Sequence, residues 1–243
     1  MEKAQKLNII FQDENILAVE KPAGIITLPD EKNKSGVFLE LLLNDFPEQK
    51  NVNERGGILH RLDKDTSGLI LVAKNKESFN FLVKQFKTRK VEKKYLALVV
   101  GNLDGEKGVI ETLIGRSPKD RKKQKAFLLH DPEAKRKGLR RAITEYKILK
   151  HFSDSKNNYT LIEVLPKTGR KHQIRVHLVH IGHPIVGDKV YGFKNQPVPK
   201  GIDRHFLHAS YLKIELQDGN EREFRCPLPG DLNGVVEGLA EAE

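Results

Sequence analysis

Two carboxylates, Asp63 and Asp65, stand among basic residues in His60-Arg61-Leu62-Asp63-Lys64-Asp65-Thr66-Ser67-Gly68, just ahead of the apolar run Leu69-Ile70-Leu71-Val72-Ala73. An Asp held near an Arg stays ionised, because the opposite charge lowers its pKa by roughly 1–3 units. A permanently charged carboxylate where a loop enters a strand can serve as a nucleophile or a base. The blander alternative is a turn cap, with Asp63 simply paired to Arg61. A third possibility uses both acids as a glycosidase-like pair. Carboxylates of retaining glycosidases lie about 5–5.5 Å apart, a separation that residues i and i+2 of one strand can approach.

Two more segments carry reactive side chains. Tyr95 lies in the alternating run Val91-Glu92-Lys93-Lys94-Tyr95-Leu96-Ala97-Leu98-Val99, where residue pattern alone reads it as a half-buried strand tyrosine. Arg175 lies in Thr168-Gly169-Arg170-Lys171-His172-Gln173-Ile174-Arg175-Val176-His177-Leu178, where a surface arginine of an amphipathic helix is the plainer alternative to a cation that compensates a sheltered carboxylate. His172, His177, His180 and His183 crowd twelve residues, but Lys167–Gly187 has no Asp or Glu and four Lys/Arg. Without carboxylate or thiolate, and amid like charge, these histidines are a poor home for a divalent ion. No metal is expected. No glycine pattern at phosphate-loop or dinucleotide spacing follows a strand, so no cofactor is expected either.

The chain has 243 residues and a formal net charge of +10. Between Arg116 and Arg141 lie eleven Lys/Arg and three acids, so +8 of the +10 sits in 26 residues. Charge concentrated in this way predicts a located phosphate-binding surface, since cations there release counterions from a polyanion. The alternative is a solvated, mobile loop, although Phe127-Leu128-Leu129 inside it suggests that part docks. Cys226 is the only cysteine, which excludes an intrachain disulfide and suits a reducing compartment. The first residues do not read as a signal or transit peptide, and no apolar run reaches the ~18–20 residues of a membrane span. A cytoplasmic protein is expected, with a monomer as the simplest state.

The elements that must position these groups read as follows. Strands at 7–11 and 16–20 form a hairpin around Asp13-Glu14-Asn15, and a short helix covers 37–43. A strand at 69–74 follows the acidic loop. A helix at 76–87 presents Phe79, Leu82, Val83 and Phe86 as a core stripe. Strands are expected at 95–100, 108–114, 142–149 and 159–165, then a helix at 172–181 and a hairpin of strands near 207–216 and 221–226. The tail after Asp231 reads as low complexity. Many strands with few helices predict an α+β domain around a mainly antiparallel mixed sheet with flanking helices.

His60-Arg-Leu-Asp-Lys-Asp-Thr-Ser-Gly68 resembles the signature of RluA-type RNA pseudouridine synthases. Val91–Val99, with its Lys93-Lys94-Tyr95 pattern, is similar to that family's second motif, and Gly115-Arg116-Ser117-Pro118-Lys119-Asp120-Arg121-Lys122-Lys123 to its basic segment. Thr168–Leu178, continuing to Gly182-His183-Pro184-Ile185-Val186-Gly187-Asp188, resembles its third motif; Leu207-His208-Ala209 and Pro227-Leu228-Pro229-Gly230-Asp231 match its C-terminal pattern. The resemblance covers about residues 7–232 and implies one catalytic domain of the pseudouridine synthase fold, 1–243, with an active-site cleft across the sheet and a basic insertion at about 116–141. The RNA-binding domain that many such enzymes carry before the catalytic domain is expected to be absent.

The implied activity is isomerisation of uridine in structured RNA, tRNA or ribosomal RNA, to pseudouridine without a cofactor. The resemblance implies Asp63 as the catalytic carboxylate, a nucleophile or base, Tyr95 as the ring stacked on uracil, and Arg175 as the partner that keeps Asp63 ionised. Arg61 would fill the space left by the flipped base. His60, Thr66, Arg116, Lys119, Arg121, Lys122, Lys123, Arg170, Lys171 and His172 are the further expected RNA contacts. A non-catalytic RNA-binding or chaperone protein on the same fold is the alternative of a different class.

Overall fold

The computed structural model describes residues 6–242. In chain order the strands are β1 (Asn8–Gln12), β2 (Ile16–Lys21), β3 (Ser67–Ala73), β4 (Glu92–Val100), β5 (Lys107–Arg116), β6 (Gln124–Phe127), β7 (Arg140–Ser153), β8 (Asn158–Pro166), β9 (Leu207–Glu215), β10 (Glu221–Arg225) and β11 (Ala240–Ala242). The helices are α1 (Phe38–Asp45), α2 (Lys76–Thr88), α3 (Gln173–His180) and α4 (Gly230–Glu237). The class is α+β, as expected. Among the described residues, no helix is long and apolar enough to cross a membrane.

The chain divides into two compact units, each made of two segments: residues 1–93 with 208–228, and residues 94–207 with 229–243. In the first unit β2 pairs antiparallel with both β1 and β3, β10 pairs antiparallel with β9, and the start of β3 meets β9 in parallel. β3 is buried along all seven residues, in keeping with its apolar run Leu69–Ala73. Its core gathers Ile16, Leu69, Leu71, Leu82, Leu212 and Phe224, with Cys226 among them. Burial pushes the Cys226 thiol up to about 12, and Glu20 adds to the shift. This cysteine is packing.

α2 starts at Asn75, whose side chain accepts the Ser78 N–H, and stops at Arg89 in a left-handed conformation. Of its expected core stripe, Leu82 is buried, while Phe79 and Phe86 pack partly exposed against the same core. Gln85 is also buried and exchanges two hydrogen bonds with the backbone of Glu215 in β9.

In the second unit the strands follow the order β4-β8-β7-β5-β6, all antiparallel, with β11 on the far part of β7. β6 was not expected. It is four residues long and carries a lysine, too short and too polar to betray itself by alternation. The tail read as low complexity also contains structure: α4 buries Leu232 and Val235, and that burial outweighs the poor helix propensity of Gly230 and Gly234.

Candidate active site

The acidic loop at 61–66 is clamped from beneath by a buried lysine. Lys21 ends β2 fully buried, and its ammonium donates to the carbonyls of Pro22, Ile25 and Lys64 at 2.6, 2.9 and 3.0 Å. The Gly24 N–H also reaches the Lys64 carbonyl. Thr27 adds a reciprocal pair: its Oγ1 donates to the Leu62 carbonyl and accepts the Leu62 N–H. Buried polar groups left unpaired would each cost about 1–3 kcal/mol, so these bonds fix the loop's path from both sides of Asp63. Asp63 itself is half-buried, and its carbonyl accepts the Thr66 N–H.

Where the loop becomes β3, Gly68 lies against β9. Its φ is +117°, and a Cβ there would fall 2.3 Å from the Ala209 carbonyl oxygen. Ser67 Oγ bonds His208 Nδ1 at 2.9 Å, and His208 Nε2 bonds the Cys226 carbonyl oxygen. Ser67 is 1 % exposed and His208 fully buried, so this serine–histidine pair is a strand lock and no nucleophile. Asp65 sits in the Lys64-Asp65 turn, and Asp63 also precedes the strand. The i, i+2 strand spacing imagined for a glycosidase pair does not exist here.

Three expected RNA contacts, His60, Thr66 and His172, are engaged or buried within the protein. His60 Nε2 accepts the Leu71 N–H, and its ring stacks on Phe86 at 5.1 Å. Burial lowers its pKa to about 3, with Lys93 nearby adding to the fall. Thr66 is only 2 % exposed. Arg61, by contrast, is exposed, as a residue that meets RNA must be. His172 precedes α3 with φ 56°, half-buried, its Nδ1 bonded to the Tyr191 hydroxyl at 2.8 Å.

In the second unit Tyr95 lies on β4 opposite Val164, 9 % exposed. Arg175 lies on α3, whose residues Gln173–Leu178 are all buried, which goes against the alternative of a surface arginine. The Thr168–Gln173 turn explains how the helix is launched. Gln173 Oε1 accepts from Thr168 Oγ1 and the Arg170 N–H, while its Nε2 donates to Ile143 and Thr144 of β7. His177, one turn on, is fully buried between Thr112 and Thr144, bonded to both hydroxyls at 2.9 and 2.8 Å. Burial lowers its pKa to about 4, with a contribution from His180.

The carboxylate that this histidine-rich stretch lacked in sequence lies one residue beyond it. Asp188 receives Arg175 in a fork, Nε to Oδ2 at 2.7 Å and Nη2 to Oδ1 at 2.8 Å. Oδ1 also accepts the N–H groups of Val190 and Tyr191. Burial alone would raise the Asp188 carboxyl; Arg175 and the two amides outweigh it and hold the group below the usual carboxylate range. The Arg175 guanidinium lies over the Tyr191 ring, 5.0 Å from its centre. Neither Lys21, Gln173, Asp188 nor Tyr191 was singled out from sequence. Asp188 and Gln173 were inside quoted motifs, but burial and pairing across a turn leave no periodic signal.

The first part of the basic segment forms a hairpin. β6 pairs with β5, placing Arg116 opposite Gln124. The turn between them closes on itself: Ser117 N–H to the Lys123 carbonyl, Lys123 N–H to the Asp120 carbonyl, and Lys122 N–H to the Asp120 carboxylate. This folds Arg116, Lys119, Arg121 and Lys122 outward as exposed cations, with Lys123 half-buried. Phe127 is 1 % exposed beneath Lys125 and Arg136, which lie over its ring at 4.8 and 5.6 Å. Lys171 is exposed, and Arg170 Nε donates to the Arg141 carbonyl.

Comparison with known proteins agrees with these motifs. A family model described as RNA pseudouridylate synthase matches residues 15–180. An uncharacterized RNA pseudouridine synthase of Aquifex aeolicus is 44% identical over 198 residues, covering 81% of this chain and 59% of that protein. Ribosomal large subunit pseudouridine synthase D of Nitrosomonas europaea is 38% identical over 244 residues, covering 98% and 66%. The chain thus spans roughly three fifths to two thirds of the length of these relatives. Among solved structures, human RNA pseudouridylate synthase domain containing 1 superposes with TM-score 0.78 at 26% identity, covering 100% of this chain and 91% of that one. The family model alone spans more than half of the chain, and on that ground the chain belongs to the RNA pseudouridylate synthase family.

Proposed function

We propose that the chain is the catalytic domain, over about residues 7–232, of an enzyme that isomerises uridine in structured RNA to pseudouridine. The observation that carries this reading is the signature loop His60–Gly68, held by Lys21 and Thr27, within the stretch matched by the family model. In the reaction the bond from ribose C1′ to uracil N1 breaks, the base turns, and C1′ bonds to C5. The C5 hydrogen leaves as a proton and N1 gains one, so composition is unchanged and no oxidant or group donor is consumed.

Asp63 is assigned the carboxylate role, Tyr95 the ring that stacks on the base, and Arg175 the cation that compensates Asp63; the motif resemblance supports each. A developing glycosyl cation needs an ionised acid, and a sheltered acid stays ionised only when a partner compensates its charge. Taking the target base out of its stack costs a few kcal/mol. The exposed planar guanidinium of Arg61 suits the vacated space. The hairpin cations Arg116, Lys119, Arg121 and Lys122, with Lys171, suit the flanking phosphates, which position the RNA without reading its sequence. Relatives named for the large ribosomal subunit favour ribosomal over transfer RNA as substrate. A single buried cysteine fits work in a reducing cytoplasm.

The test is tritium release from RNA labelled at uracil C5. Release from one RNA class with the wild-type protein is expected. Free uracil in its place would indicate hydrolysis, and RNA binding without release would leave only a binding protein.

A further inference from the structure

We infer that Asp188 and Tyr191 are positioning residues for Arg175, and that Tyr191 also moors the basic hairpin to the same helix. The inference rests on the reading of Arg175 as a site residue, and extends it to the groups that fix its guanidinium.

The fork and the ring constrain Arg175 in different directions. Asp188 sets rotation within the guanidinium plane by engaging Nε and Nη2. Tyr191 sets the plane itself, because its face lies against the cation. Asp188 is in turn held by its own turn. Its carboxylate accepts the Val190 and Tyr191 amides, its carbonyl accepts the Gly192 N–H, and its amide reaches the Ile185 carbonyl. Gly187 just before it has φ +74°, and a Cβ there would lie 2.3 Å from the Arg204 carbonyl oxygen, so this backbone has one path. Both charges of the pair are nearly buried, at 6 % and 1 % side-chain exposure. Apolar residues of equal volume would hold such a place at least as stably, so a buried pair is not needed for the fold. Its distinctive product is a fixed cation.

The Tyr191 hydroxyl does a second task. It accepts the Gln124 N–H from the start of β6 at 2.9 Å and bonds His172 Nδ1 at the entry to α3. The oxygen accepts from Gln124, and the direction of its bond to the imidazole follows the His172 tautomer. The hairpin bearing the expected phosphate contacts and the helix bearing Arg175 therefore share one phenol.

The two tasks separate kinetically. With a transcript of large-subunit ribosomal RNA labelled at uracil C5, Asp188→Asn should lower kcat at least about tenfold with little change in KM. Tyr191→Phe keeps the ring and loses the hydroxyl. It should raise KM, and the Kd for the unreacted transcript, at least about threefold, and by more than it lowers kcat. A readout independent of turnover accompanies these: the Arg175 Nε–Hε resonance, slow to exchange in the wild type, should lose protection in Asp188→Asn and keep it in Tyr191→Phe. Equal protection in both variants, or kcat and KM that move together in both, would overturn the inference. A wild-type protein that releases no tritium refutes the enzymatic reading alone; the resonance and the Kd still decide this one.

Discussion

Arg175 and Asp188 form a two-bond fork across thirteen residues, at 2.7 and 2.8 Å, where neither side chain is more than 6 % exposed. The pair converts a flexible cation into a fixed one. Removing one partner leaves the other buried and uncompensated, which typically costs roughly 3–5 kcal/mol. Asp188→Ala should therefore lower the stability of the protein by about that amount in denaturant titration. A loss below about 1 kcal/mol would show that water or a rearranged neighbour compensates Arg175.

Stability should fall on mild acidification. His177 and His60 are held neutral, with pKa values of about 4 and about 3, while in the unfolded chain each binds a proton near pH 6.5. Below that value the unfolded state binds more protons, so stability drops as pH falls from about 6.5 toward 4, by an amount on the order of a few kcal/mol in total. The lowered Asp188 carboxyl adds a loss at still lower pH, below the ordinary Asp range. Denaturation midpoints at pH 7 and pH 5 measure the slope. His177→Gln, which can still bond both threonines, should make it shallower; an unchanged slope would remove His177 from the account.

Lys21→Met keeps the stem but removes the ammonium from three carbonyls. Those carbonyls would stay buried and unpaired, costing roughly 2–4 kcal/mol in sum. Amide exchange around residues 62–66 should accelerate more than exchange in β8. Uniform acceleration would mean that Lys21 supports the fold generally and not this loop.

Replacing Lys119, Arg121 and Lys122 with Gln should weaken RNA binding and flatten its salt dependence. Each phosphate that is no longer neutralised lowers the log–log slope by about 0.7–0.9. A weaker affinity with an unchanged slope would place these cations away from the phosphates.

Much of this arrangement was legible in sequence, for reasons that particular elements make plain. β2 and β3 announced themselves by apolar runs, and the hairpins by Asp13-Glu14-Asn15 and Asp218-Gly219-Asn220. The basic segment was found by its charge, yet β6 within it was missed, because four residues carry no usable period. Arg175 was located by motif, and the burial of Gln173–Leu178 goes against the surface-arginine alternative that amphipathicity offered. His60 was expected as an RNA contact from its place in the signature; its stack on Phe86 depends on α2, sixteen residues further on, and was not legible. Lys21 and Asp188 share that limitation. Burial of a charge is decided by partners that lie elsewhere in the chain.

The central claim is that Asp63 carries the isomerisation. It is tested most directly by nucleoside mapping of ribosomal RNA from cells lacking the gene and complemented with wild type or Asp63→Asn. The account predicts that a specific pseudouridine disappears on deletion, returns with the wild type, and stays absent with Asp63→Asn although that variant is folded and binds the RNA. Restoration of the pseudouridine by Asp63→Asn would contradict it.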